Sequence, residues 1–255
     1  MADDIILTAK GLVKEFAGFR AVDDATLHVR RGSIHALIGP NGAGKTTCFN
    51  LITKFLSPSA GTLTYKGRNI TREKPAAVAR MGMVRSFQIS ATFGNLTLLE
   101  NVRLALMQST DAPYRFWRSE KSMDVLENRA LALLARVGLA DMADRPASEL
   151  SYGRKRALEI VTTLALDPEL LLLDEPTSGM GHEDVAPITA LIGEIAKTCT
   201  VLMVEHNLGV VAALADRVTV LARGRVLAEG TYAEIASNAE VRSAYLGRQA
   251  GAVHA

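Results

Sequence analysis

The chain has 255 residues, 48% of them hydrophobic and 22% charged, with a formal net charge of +2. It is too apolar for a disordered chain, and its near-balanced charge excludes a strong electrostatic bias toward nucleic acid or anionic lipid. Two distant cysteines, Cys48 and Cys199, exclude a disulfide scaffold and fit no metal-ligand spacing. The acidic start, Met1-Ala2-Asp3-Asp4, lacks the basic opening and long apolar stretch of a secretory signal. No apolar run approaches the roughly 20 residues that span a bilayer. A reduced, cytosolic setting follows, in which work at a membrane requires another chain to supply the membrane.

In chain order, the N-terminal stretch and residues 62–65 read as antiparallel strands. Residues 33–38 form a strand-like run leading into a glycine-rich loop. From about residue 96 to 166 the pattern is helical. Leu126, Ala130, Leu133, Leu134 and Val137 make an apolar stripe at helical spacing that Gly138 stops. A further helix begins near Ser151 and ends at Asp167-Pro168. The all-leucine run 170–173 suits a strand buried on both faces and ends at Asp174-Glu175. The β-branched and apolar run 200–204 ends at Glu205-His206, and residues 218–221 and 225–228 read as a late hairpin. Strands alternating with helical patterns predict an α/β fold with a mostly parallel sheet, an N-terminal antiparallel β subdomain and an inserted helical subdomain over 89–166. All of it reads as one domain, 1–255.

Gly39-Pro40-Asn41-Gly42-Ala43-Gly44-Lys45-Thr46 fits G-x-x-x-x-G-K-[ST] between a strand and a helix. Glycines let the backbone wrap closely, so that successive N–H groups point at phosphate oxygens, and the following helix aims its positive end at the same anion. Residues Asn41, Gly42, Ala43, Gly44, Lys45, Thr46 and Thr47 are the expected phosphate-binding set. Lys45 supplies a point charge for the β- and γ-phosphates, and the Thr46 hydroxyl a ligand for Mg²⁺. The motif by itself says nucleoside triphosphate; kinases, GTPases and ATPases all use it. Four leucines deliver Asp174 and Glu175 to one point of the sheet, Asp174 to hold Mg²⁺ and Glu175 to polarise the attacking water. Pro176 predicts an extended backbone at Glu175.

Leu150-Ser151-Tyr152-Gly153-Arg154, lying between the phosphate loop and the acidic pair, resembles the Leu-Ser-Gly-Gly-Gln signature of ATP-binding-cassette (ABC) ATPases. The resemblance covers nearly the whole chain. It implies a P-loop NTPase core that hydrolyses ATP with Mg²⁺, and a head-to-tail dimer in which Ser151, Tyr152 and Gly153 contact ATP bound to the opposite subunit. It further implies that Phe16 stacks on adenine, with Phe19 as a rival. Gln88 reaches Mg²⁺ and the attacking water, and His206 is the switch histidine at the γ-phosphate. His28, His35, His182 and His254 read as structural. Two departures stand out. Arg154 replaces the glutamine and, with Lys155 and Arg156, reads as a solvated basic turn or as extra charge near phosphate. Gly179-Met180-Gly181 replaces Ala-Leu-Asp, whose aspartate normally crosses the dimer interface, so coupling between the two sites is expected to differ.

Arg85-Ser86-Phe87-Gln88, residues 95–102, Tyr152, Val204-Glu205-His206-Asn207 and the tail through Tyr245-Leu246-Gly247 resemble the importer branch for branched-chain amino acids, urea and short amides. The implied partners are transmembrane permease subunits, a second ABC ATPase subunit, identical or related, and indirectly a solute-binding protein. The implied place is the cytoplasmic face of the inner or plasma membrane, with no nucleic-acid role. Tyr114, Phe116 and Trp117 pack the helical subdomain or face a membrane subunit. The alternatives are a lipopolysaccharide-export ATPase and a soluble ABC ATPase acting on DNA or ribosomes.

Overall fold

The structure, a computed structural model, describes residues 4–86, 92–109 and 120–246. Two sheets organise it. Strands β1 (Ile5–Phe16), β2 (Phe19–Arg30), β4 (Ala60–Tyr65) and β5 (Arg68–Asn69) form an antiparallel sheet in the order β2-β1-β4-β5. Strands β3 (Ile34–Ile38), β6 (Met83–Arg85), β7 (Leu170–Asp174), β8 (Thr200–Val204), β9 (Arg217–Ala222) and β10 (Arg225–Gly230) form the second, in the order β10-β9-β3-β8-β7-β6. Its neighbours are parallel except for the β9–β10 hairpin.

The all-apolar strands are explained by burial on both faces. Strands β3, β7 and β8 are buried at every position. Side chains alternate across a strand. Leu171, Leu173, Val201 and Met203 therefore pack into one core, and Leu170, Leu172, Leu202 and Val204 into the other. Each such leucine contributes roughly 2 kcal/mol of burial. The second core joins the sheet to the antiparallel layer and to helix α1 (Lys45–Ile52).

The first core holds the helices between β6 and β7, namely α3 (Leu98–Ser109), α4 (Glu120–Arg136) and α5 (Tyr152–Leu164), which follow the short α2 (Pro75–Arg80). The predicted stripe on α4 faces inward, with Leu126, Ala130, Leu133 and Leu134 buried. Thr97 and Glu100 cap α3 reciprocally: the Thr97 hydroxyl accepts from Glu100 N at 3.1 Å, and the Glu100 carboxylate accepts from Thr97 N at 2.8 Å. Asn101, buried, binds the loop before the helix through Phe93 N and the carbonyls of Phe93, Leu96 and Thr97. After β7 comes α6 (His182–Ala196), and after β8 comes α7 (Leu208–Leu214). The chain then forms the β9–β10 hairpin, α8 (Tyr232–Ser237) and α9 (Ala239–Leu246).

The expected basic turn at 154–156 is corrected by the structure. Arg154 is exposed, but Arg156 lies on the inner face of α5, 6% exposed, paired with Glu159 at 2.9 Å and donating to the Asp174 carbonyl at 3.0 Å. Arg156 and Glu159 are three positions apart, which places both on one helix face, and that face points into the sheet.

Candidate nucleotide site

Ligands of open α/β sheets lie beyond the carboxyl ends of the strands. Here β3 ends in the phosphate loop, β8 in Glu205-His206, β7 in Asp174-Glu175 and β6 in Arg85-Ser86. These four strands are consecutive in the sheet, so the chemistry of four distant sequence segments converges on one edge.

The loop's glycines are demanded by geometry. Gly39 and Gly44 adopt φ of 152° and 97°; an added Cβ would lie 2.1 Å from the Leu221 carbonyl oxygen at the first and 2.4 Å from that of Ala21 at the second. Gly224 in the hairpin turn braces the loop, its N–H donating to Ala43 O at 2.9 Å and its carbonyl accepting from Asp23 N at 2.8 Å. Asn41 and Gly42 are exposed, Ala43 buried, Thr46 exposed and Thr47 half-buried. Helix α1 starts at Lys45, directing its unpaired N–H groups toward the loop. The Lys45 ammonium folds back over the loop and donates to Gly39 O at 2.7 Å and Pro40 O at 3.2 Å.

Asp174 is 2% exposed, and its Oδ2 accepts from Arg85 Nη2 at 2.6 Å. Arg85 also donates to Asn50 Oδ1 at 2.7 Å and Thr53 Oγ1 at 3.3 Å on and just after α1, and its guanidinium stacks on Phe49 and Phe55. Arg85 thus ties the carboxylate to the helix that follows the phosphate loop. The Thr46 hydroxyl and the Asp174 carboxylate, carried on the elements that leave β3 and β7, are hard oxygen donors of the kind Mg²⁺ takes.

Glu175 departs from expectation. Its φ is 45°, in the left-handed region, and not extended as Pro176 led us to expect. The tertiary structure overrides the local preference: Glu175 N donates to Val204 O at 2.9 Å, and Ser178 N closes a turn on Glu175 O at 3.0 Å. His206, half-exposed, places Nδ1 4.0 Å from Glu175 Oε2 and 3.8 Å from Glu205 Oε2. Gln88 lies outside the described residues, as do Tyr114, Phe116 and Trp117. Phe16 and Phe19 face each other at the tip of the β1–β2 hairpin, both exposed, with Lys14 Nζ 5.1 Å from the Phe16 ring centre.

The signature residues lie at the start of α5 and reach the turn that follows Glu175. Ser151 is the N-cap of α5 and its hydroxyl makes no capping bond. The Tyr152 hydroxyl donates to Ser178 O at 3.1 Å, and a Cβ on Gly153 would meet the Asp184 carboxylate at 2.4 Å. Ser151, Tyr152 and Gly153 therefore border the turn after β7 and the start of α6. Arg85, Arg156 and Glu205 escaped the sequence reading as site residues. Their signal was weak: each is a charged residue at or near a strand end or within an amphipathic helix, and its role depends on partners up to 89 residues away.

The ABC transporter family model matches residues 22–178, and one described as a branched-chain amino acid ATP-binding cassette transporter matches residues 225–251. The chain is 38% identical over 254 residues to the high-affinity branched-chain amino acid transport ATP-binding protein LivG of Salmonella typhimurium, covering 95% of this chain and 98% of the relative. It is 35% identical over 252 residues to BraF of Pseudomonas aeruginosa, a protein of the same description, with 95% and 98% covered. A solved ATP-binding cassette of an ABC transporter in its ADP conformation superposes with a TM-score of 0.84 at 31% identity, covering 95% of this chain and 99% of that one. A nucleotide-free cassette superposes at 0.81 with 29% identity, covering 94% and 98%.

Proposed function

This chain belongs to the ABC transporter family as an ATPase subunit, and from that premise we propose that it powers import of branched-chain amino acids or a related small polar solute. The tail match at 225–251 and the similarity to LivG and BraF support this solute class over lipopolysaccharide export. The observation that carries the ATPase chemistry is the convergence of the phosphate loop, Asp174, Glu175 and His206 on consecutive strand ends.

In this reading Gly39–Lys45 wrap the triphosphate, and Lys45 exchanges its loop carbonyls for the β- and γ-phosphates. Thr46 and Asp174, with Gln88, would hold Mg²⁺, which would supply charge neutralisation on the phosphate oxygens. Glu175 polarises the attacking water, and His206 orients it against the γ-phosphate. Phe16 stacks on the adenine. Ser151, Tyr152 and Gly153 complete the site of a second cassette, so that two nucleotides hold two chains together.

The described helices between β6 and β7, within the subdomain proposed over 89–166, pass this closure to the permease. Among the described residues no helix is long and apolar enough to cross a membrane, so the work must leave through a contact. A groove of about 370 Å³ between this subdomain and the core, walled by Phe55, Phe93, Leu104 and Ala105, is proposed to receive a cytoplasmic helix of a permease subunit. Phe55, Phe93 and Leu104 are large apolar side chains left exposed there. The protein then sits peripherally on the cytoplasmic face of the membrane.

The test is capture of the tagged Glu175→Gln chain from its native membranes with ATP and Mg²⁺. Recovery of polytopic permease subunits with a second cassette is expected. Recovery of soluble DNA-repair or ribosomal proteins alone contradicts the transport reading.

A further inference from the structure

Glu205 is fully buried, and among the described residues no Lys or Arg pairs with its carboxylate. A buried carboxylate without a counter-charge is costly unless hydrogen bonds saturate it. Here they do. Oε1 accepts from Thr177 N at 3.1 Å and from the Thr177 hydroxyl at 2.5 Å. Oε2 accepts from His206 N at 2.7 Å and from Asn207 N at 2.8 Å. Each oxygen serves one loop: the first binds the loop that carries Glu175, the second the loop that carries His206.

That division of labour has a mechanical consequence. Thr177 lies two residues after Glu175, whose left-handed backbone, φ 45°, needs outside support in a non-glycine residue. The support comes from Glu175 N on Val204 O, immediately before Glu205, and from the Thr177 bonds to Glu205 itself. The His206 ring stands 4.0 Å from the Glu175 carboxylate across the same junction. We propose that Glu205 is a positioning residue that clamps the β7 and β8 exit loops into one rigid unit, so that Glu175 and His206 keep their spacing through each hydrolytic cycle. The proposal rests on the reading of Glu175 and His206 as the hydrolytic pair.

A carboxylate suits this place because it offers two acceptor oxygens and no donor. Glutamine, of nearly equal shape, turns an NH₂ toward one pair of donors. Aspartate is a methylene too short to reach both loops. The experiment compares Glu205→Gln, Thr177→Val and Thr177→Ser with the unmodified chain, by steady-state ATPase assay and by backbone hydrogen exchange. Glu205→Gln is expected to lower kcat by ten- to a hundredfold while KM for ATP moves less than threefold. Exchange is expected to rise together in residues 175–181 and 203–209 and to stay level in residues 39–47. Thr177→Val is expected to show the same pattern more weakly, and Thr177→Ser, which keeps the hydroxyl, to restore the unmodified values.

Wild-type kcat and exchange in Glu205→Gln overturn the proposal. So does exchange that rises uniformly across the chain, which would mark Glu205 as a general folding residue. If Glu205→Gln does not fold, Thr177→Val against Thr177→Ser decides alone: equal behaviour of the two overturns the clamp. Glu175→Gln and His206→Ala serve as controls, since wild-type turnover in both would unseat the hydrolytic pair while the exchange result still reports on the clamp.

Discussion

At Gly44 the backbone leaves no choice of residue. Its φ of 97° and the 2.4 Å approach to Ala21 O leave no room for a Cβ, and the opposing atom is backbone. Gly44→Ala is expected to cost about 2–3 kcal/mol of stability and to open the cradle, lowering nucleotide affinity. Urea unfolding and a nucleotide titration check both. Glu175 shows the opposite relation between sequence and structure, because a local rule fails there. Proline after Glu175 disfavours helix, as expected, but the residue takes the left-handed region because its N–H is bound to Val204 O on the neighbouring strand. That partner lies 29 residues on, and neither its distance nor its direction is written in the local sequence.

Among the elements, β3 carries a titrating side chain with no part in the chemistry. His35 is 1% exposed, and its Nε2 lies 2.8 Å from the Thr219 hydroxyl on β9, which itself donates to Glu229 Oε2 at 3.2 Å. Thr219 thus bridges the His35 ring on β3 and the Glu229 carboxylate on β10. Burial pushes the His35 pKa down to about 4, against attraction from Glu229 and together with repulsion from Arg217. The unfolded chain therefore takes up a proton near pH 6.5 that the folded chain refuses until about pH 4. Stability falls as pH drops through that window, by roughly 1.4 kcal/mol per unit. Urea unfolding at pH 7, 6 and 5 should show this slope, and His35→Gln should flatten it.

The strands that the sequence revealed are those with the strongest local signature: β3, β7 and β8 are apolar throughout because both faces are covered, and each ends in polar residues at the site edge. The β9–β10 hairpin was legible from the runs 218–221 and 225–228, and the turn between them, Arg223-Gly224, takes positive φ at both residues. Strand β6, Met83–Arg85, was not, since three residues carry no period. Its last residue, Arg85, is nonetheless the one that anchors Asp174. Glu205 stood in plain view as the polar end of an apolar run, but its burial and its bonds to Thr177, 28 residues back in the chain, are not written in the local sequence. Arg156 read as part of a basic surface because three cations stand in a row; the helix phase that turns it inward is set by the packing of α5 on the sheet.

For the whole molecule, the proposed function has one chain hold only half of each composite site. The signature at Ser151–Gly153 borders the turn after β7 and α6, and the Ser151 hydroxyl, exposed at the head of α5, forms no cap with its own helix. A helix N-terminus with an uncommitted hydroxyl suits a phosphate brought by another chain. The Tyr152 bond to Ser178 O links that signature, within one chain, to the loop where Gly181 stands in place of the usual aspartate. The most direct test is sedimentation velocity of the Glu175→Gln chain, with and without Ser151→Arg, in the presence and absence of ATP. An ATP-dependent dimer is expected for Glu175→Gln, and a monomer with unchanged ATP affinity for the double variant. A double variant that still dimerises with ATP would contradict the composite-site reading.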